Sequence, residues 1–133
     1  MKYAVLDASA VVAFLDESPG AEKMHRLLTE TLHAKLHLSM SVVNWGEVYY
    51  YVWRTRGKAA ADKTLADLSR WRIQIVPADT ELTKLAAQFR VLHRLHYADC
   101  FAAALAQQRN ATLVTADREF ASVQRAVKIL WTT

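Results

Sequence analysis

Tyr3-Ala4-Val5-Leu6-Asp7-Ala8-Ser9-Ala10-Val11-Val12-Ala13-Phe14-Leu15 is the stretch on which the fold turns. Tyr3 to Leu6 is short and almost continuously apolar, the pattern of a strand covered on both faces rather than on one. Asp7-Ala8-Ser9 then interrupts it with turn and cap residues, and Ala10 to Leu15 reads as the helix after it. A buried strand running into a helix is the unit of a parallel sheet.

The rest of the chain repeats that alternation. Pro19-Gly20 breaks it, after which Met24, Leu27, Leu28, Thr31 and Leu32 recur at helical spacing. Leu36 to Met40 is expected as a second strand. Ser41 is the expected N-cap of a helix through Val43, Val48 and Val52 that stops near Gly57, with another helix over Ala59 to Trp71. Ile73 to Val76 is β-branched and bounded by Pro77, a third strand, and Asp79 or Thr80 caps a helix carrying Leu82, Leu85, Phe89 and Leu92 that closes at His96-Tyr97. Asp99 is read as opening an alanine-rich helix, Phe101 to Arg109, ended by Asn110. Thr112 to Thr115 is a fourth strand, Phe120 to Gln124 a short helix and Val127 to Leu130 a last strand. The expected architecture is one α/β domain over residues 1–133, a three-layer α/β/α sandwich with a mainly parallel central sheet.

Composition narrows the function. With 133 residues and 53% hydrophobic content, a single packed core is expected rather than a disordered chain. Lys and Arg number 17 against 13 Asp and Glu, a net +4 that suits an anionic partner. The lone Cys100 permits no internal disulfide and no thiolate zinc site, which points to a reducing cytoplasm. Asp7 cuts the first apolar run short of a signal core or membrane span. Three glycines, Gly20, Gly46 and Gly57, cannot assemble a phosphate loop or a dinucleotide fingerprint. His25, His33, His37, His93 and His96 lack paired zinc spacing, and no Gly-x-Ser-x-Gly turn is present.

The remaining chemistry is acidic. Asp7 and Asp117 each come directly after an apolar strand, so both are expected at the carboxyl edge of the sheet, where ligands bind in open parallel sheets. Glu47, early in the helix after strand two, and Asp99, before strand four, can project to the same edge. Two unit charges about 4 Å apart repel by roughly 4 kcal/mol at an effective dielectric near 20, so a cation is expected between them. All-oxygen ligands favour Mg²⁺ or Mn²⁺, which can activate water against a phosphodiester. The alternative reading for any one of these aspartates is an ordinary helix N-cap. Ser9 and Thr115 flank the first and last acids, as partners of a carboxylate or as plain turn residues.

Taken together, YAVLDASAVVAFL, NWGEVYY, HYADCFAAALA and TLVTADREF, in this order and over nearly the whole length, resemble a PIN domain, specifically a VapC-type ribonuclease toxin of a toxin-antitoxin pair. The resemblance carries the family's acids onto Asp7, Glu47, Asp99 and Asp117 as catalytic and metal-binding residues. Its hydroxyls fall on Ser9 and Thr115. Where some relatives have a further aspartate this chain has Arg118 and Glu119, with Glu119 as the stand-in. The resemblance implies a Mg²⁺- or Mn²⁺-dependent endoribonuclease acting on single-stranded or loop RNA, blocked by a small VapB-like antitoxin, homodimeric, and using neither a membrane nor an organic cofactor.

Basic residues near aromatics suggest a path for RNA: Arg54, Arg56 and Lys58 after Tyr49-Tyr50-Tyr51-Val52-Trp53, and Arg94 and His96 near Asp99. Three consecutive tyrosines cannot share a helix face, so at least one is expected in the core. Leu27, Leu28, Val48, Val52 and Leu65 exceed what one small core should need, and some are expected to stay open for a partner. A rival reading is a catalytically silent PIN-like module that binds RNA or protein. Phosphotransfer domains are disfavoured, because Asp7-Ala8-Ser9 is not the Asp-x-Asp of a haloacid-type phosphatase and no paired acids stand near strand one.

Overall fold

The computed structural model describes residues 2–133. Five strands, β1 (Lys2–Leu6), β2 (Leu36–Ser41), β3 (Ile73–Val76), β4 (Thr112–Thr115) and β5 (Ile129–Trp131), form one sheet in the order β3-β2-β1-β4-β5. Every neighbouring pair is parallel, for example Val5 opposite Ser39 on one side and Leu113 on the other. The connections are helices: α1 (Ala8–Leu15), α2 (Ala21–Leu32), α3 (Val42–Arg56), α4 (Lys58–Arg70), α5 (Thr80–Leu92) and α6 (Tyr97–Gln108). A 3₁₀ turn, Arg118–Val123, precedes β5.

The strand period of two separates two cores. Val5 and Leu113 point into one, with Leu82, Ala86 and Phe89 of α5, the alanine-rich face of α6, and Phe120. Ala4, Leu6, Leu38, Met40 and Val114 point into the other, with Val11 of α1, Met24 of α2, Val48 and Val52 of α3 and Leu68 of α4. Helices therefore cover both faces, the expected three layers. Because β2 and β4 flank β1 on opposite sides, the chain winds outward through β3 and then returns across β1. That reversal places a crevice at the carboxyl ends of β1 and β4.

Several elements differ from the sequence-based expectation. Helix α1 starts at Ala8 rather than Ala10, because Asp7 itself is the cap. Helix α5 ends at Leu92 instead of running to His96-Tyr97: His93 is extended and buried Leu95 anchors the link. Helix α6 starts at Tyr97 with extended His96 as its N-cap, so Asp99 lies inside the first turn and does not cap it. Val127 is held in the turn by its N–H to the Val123 carbonyl, which delays β5 to Ile129. None of the three tyrosines is fully buried. Tyr49 and Tyr51 lay their rings on the second core and send their hydroxyls out to Asp62 and Asp16, while Tyr50 is 49% exposed. Val48 and Val52 are core residues, not a free face; Leu27, Leu28 and Leu65 are half-buried. Among the described residues no helix is long and apolar enough to cross a membrane.

Candidate active site

Asp7 leaves the end of β1 with its N–H on the Val114 carbonyl and its side chain nearly buried, 2% exposed. Its Oδ1 accepts from the Ala10 N–H at 3.1 Å, the capping bond of α1. The Ser9 hydroxyl lies 2.8 and 2.9 Å from its two oxygens, and Thr115 Oγ1 donates to Oδ2 at 3.0 Å. Ser9 Oγ and Thr115 Oγ1 are themselves 3.1 Å apart. Both hydroxyls also accept backbone hydrogens, Ser9 from Ala116 and Thr115 from Asp117, each at 3.0 Å. Capping and convergence are thus not alternatives for Asp7: one residue does both. Asp117 likewise caps the 3₁₀ turn, accepting the Glu119 N–H at 2.9 Å.

Carboxylate oxygens of Asp99, Asp117 and Glu119 lie within 4.8 Å of one another. Asp7 and Glu47 stand around this trio rather than in it, yet their charges reach it. Asp99 is pushed up to about 6, first by burial, then by the Glu47 and Asp117 charges, with His96 opposing. Asp7 is raised to about 7, because burial outweighs the hydrogen bonds from Ser9, Ala10 and Thr115, and the Asp99 charge adds to it. Among the described residues, no lysine or arginine salt-bridges any of these five acids, and His96 Nε2 lies 3.9 Å from Glu119 Oε2. A crowded, all-oxygen, uncompensated set of this kind fits a hard divalent cation better than zinc or another soft metal.

Glu47 is held from its own helix. Asn44, one turn earlier on α3 and fully buried, donates through Nδ2 to Glu47 Oε1 at 2.9 Å and to the Ala98 carbonyl at 3.0 Å. Sequence reasoning assigned Asn44 no role, although an amide three residues before an acid on a helix is the spacing at which two side chains meet.

The basic candidates divide. Arg94 and His96 line a cavity with Arg90, Leu95 and Glu119, directly beside the acids. Arg54, Arg56 and Lys58 are not brought there: they lie at or beyond the far end of α3, roughly 10 Å or more along its axis from Glu47. Arg54 covers the Tyr50 ring, Arg56 bonds Asp16 and the Leu15 carbonyl, and Lys58 bonds Asp62 at 2.8 Å. Local pairing explains the departure from expectation. Cys100 is buried, and burial raises its thiol pKa, as suits an inert core residue.

The chain is thus an open parallel α/β domain with carboxylates gathered at the strand ends. The PIN domain family model matches residues 4–126, and the chain belongs to that family. By sequence, no curated protein matches it. Among solved structures it is similar to VapBC2 from Rickettsia felis bound to a promoter DNA fragment, at 19% identity and TM-score 0.76 over 96% of this chain and 97% of that one. DNA-bound VapBC from Salmonella typhimurium gives 17% and 0.75 over 100% of both chains. VapC20 from Mycobacterium tuberculosis, described as a toxin that cleaves the sarcin-ricin loop, gives 16% and 0.68 over 90% of this chain and 94% of that one. At these identities the likeness establishes the fold.

Proposed function

We propose that this PIN domain is a VapC-type toxin: a Mg²⁺- or Mn²⁺-dependent endoribonuclease that cuts single-stranded or loop RNA in the cytoplasm and is neutralised by a small VapB-like antitoxin. The observation that carries the reading is the trio Asp99, Asp117 and Glu119, with Asp7 and Glu47 near it and, among the described residues, no arginine or lysine in a salt bridge with it. A divalent cation bound there supplies charge neutralisation to a phosphodiester and lowers the pKa of water. The protein's own contributions are separate. Asp99, Asp117 and Glu119 would offer ligand oxygens. Ser9 and Thr115 fix the Asp7 carboxylate in one orientation. Glu47, whose charge reaches Asp99, would add a further ligand oxygen, and Arg94 and His96 would hold substrate phosphate at the rim.

For the partner, the support is that structures sharing nearly this whole fold are described as VapBC bound to DNA and as a toxin-antitoxin complex. An antitoxin segment that brings an arginine or lysine to the acids would occupy the position of the cation. Homodimer formation belongs to the same reading.

The deciding experiment incubates purified protein with end-labelled single-stranded and hairpin RNAs in Mg²⁺, Mn²⁺ or EDTA. Cleavage in metal, none in EDTA, and none by Asp99→Asn is the expected result. RNA that is bound but never cut, in either metal, would instead support the catalytically silent binding module.

A further inference from the structure

Asn44 is a fully buried side chain with an unusual balance of bonds. Glu47 Oε1 and the Ala98 carbonyl can only accept, so the Asn44 atom facing both is the amide nitrogen. Both of its hydrogens are used. Its Oδ1 is left buried with no hydrogen-bond partner. An apolar side chain of the same size would carry no such orphan, so whatever keeps an amide here resides in its two donated hydrogens. Those hydrogens join two segments 54 residues apart in sequence: the helix turn that carries Glu47 and the first turn of α6, where Ala98 precedes Asp99.

We propose that Asn44 is a positioning residue of the acidic site, acting through Glu47: its single amide fixes the Glu47 carboxylate relative to the turn that presents Asp99, and so sets the spacing of acids that a divalent cation meets. This rests on the proposed reading of the acids as a cation site. Asn44 itself touches neither cation nor RNA.

The test measures Mn²⁺ affinity by calorimetry on the whole chain, without RNA, alongside thermal unfolding. Losing an outer partner of a metal ligand typically weakens metal affinity by roughly tenfold or more, and that loss is expected for Asn44→Ala. In a Glu47→Ala background the same substitution should change Mn²⁺ affinity by no more than about twofold, because the residue through which it acts is gone. Asn44→Leu guards against failure of the alanine variant to fold. It keeps the branched four-atom skeleton and removes the orphan oxygen, so its unfolding midpoint should stay closer to wild type than that of Asn44→Ala while Mn²⁺ affinity falls. A merely structural role would move both downward together. Wild-type Mn²⁺ affinity in folded Asn44→Ala or Asn44→Leu overturns the proposal, as does an undiminished effect in the Glu47→Ala background. If the wild-type chain binds no Mn²⁺, or Glu47→Ala binds it as well as wild type does, the cation-site reading has failed first and the proposal falls with it.

Discussion

Thr115 Oγ1 donates to Asp7 Oδ2 at 3.0 Å across 108 residues of sequence, and the same oxygen accepts the Asp117 N–H at 3.0 Å. One buried hydroxyl therefore joins the carboxyl ends of β1 and β4 at the point where the sheet's winding reverses. Thr115→Val preserves shape and removes both bonds, leaving a backbone N–H and a carboxylate oxygen short of partners. The expected loss is about 1–3 kcal/mol of folding free energy. Denaturant unfolding should show a lower midpoint with an unchanged slope; an unaltered midpoint would mean that the hydroxyl contributes nothing.

Asp7 gives the metal-free protein an inverted pH response. Its pKa rises from the ordinary 3.8 to about 7 on folding, so the folded state holds a proton that the unfolded state has released. That contribution is complete below 3.8 and disappears as pH climbs through about 7. The pKa difference sets a ceiling of roughly 4 kcal/mol. Asp99, raised to about 6, works in the same direction, with a share reduced by solvent at its partly open position. Asp62 and Asp67, lowered by Lys58 and Lys63, oppose this only under acid conditions. Unfolding midpoints in EDTA should therefore fall from pH 5 to pH 8, and Asp7→Asn should flatten the fall. In Mg²⁺ the trend should weaken or reverse, since cation and proton compete for the same oxygens. A rising EDTA profile would contradict the buried, proton-holding Asp7.

That behaviour separates stability from activity in a single substitution. Asp7→Asn keeps the volume and the Ala10 capping bond while removing the buried charge. Folding free energy in EDTA at pH 8 should hold or increase. Cleavage should fall by about 100-fold or more, at the upper end of what even outer partners of metal ligands cost. Asp99→Asn should lose cleavage similarly. A folded Asp7→Asn protein that cuts RNA at the wild-type rate would remove Asp7 from the active site.

The parts of the fold legible in the sequence came from short-range signals. Ile73–Val76 and Thr112–Thr115 lie where β-branched runs and their flanking residues put them, and Ser41 and Gly57 bound α3. Asp7 and Asp117 were readable because a strand's end fixes a side chain's place in a parallel sheet. The start of α6 was not, because no cap marks it: His96 makes no capping bond, and buried Leu95 decides where the chain turns. Long-range pairing was equally invisible. Asp16 meets Arg56 40 residues away, a pairing that no local pattern announces. Lys58 and Asp62, four apart on a helix, was a pair the spacing did offer.

The two basic groups should separate by salt dependence. Each phosphate contact to single-stranded RNA contributes about 0.7 to the slope of log affinity against log salt. Arg94 borders the acidic site beside His96, so Arg94→Ala should lower that slope by about 0.7. Arg56 is engaged by Asp16 and the Leu15 carbonyl at the other end of α3, so Arg56→Ala should leave the slope alone. Its effect should be confined to stability, within about 1 kcal/mol for an exposed pair. The measurement is fluorescence anisotropy with a short labelled RNA in EDTA, using an Asp99→Asn background to suppress residual cleavage and ease repulsion from the acids. If Arg56→Ala lowers the slope and Arg94→Ala does not, RNA runs along the α3–α4 end of the domain, and the rim beside Glu119 is not its path.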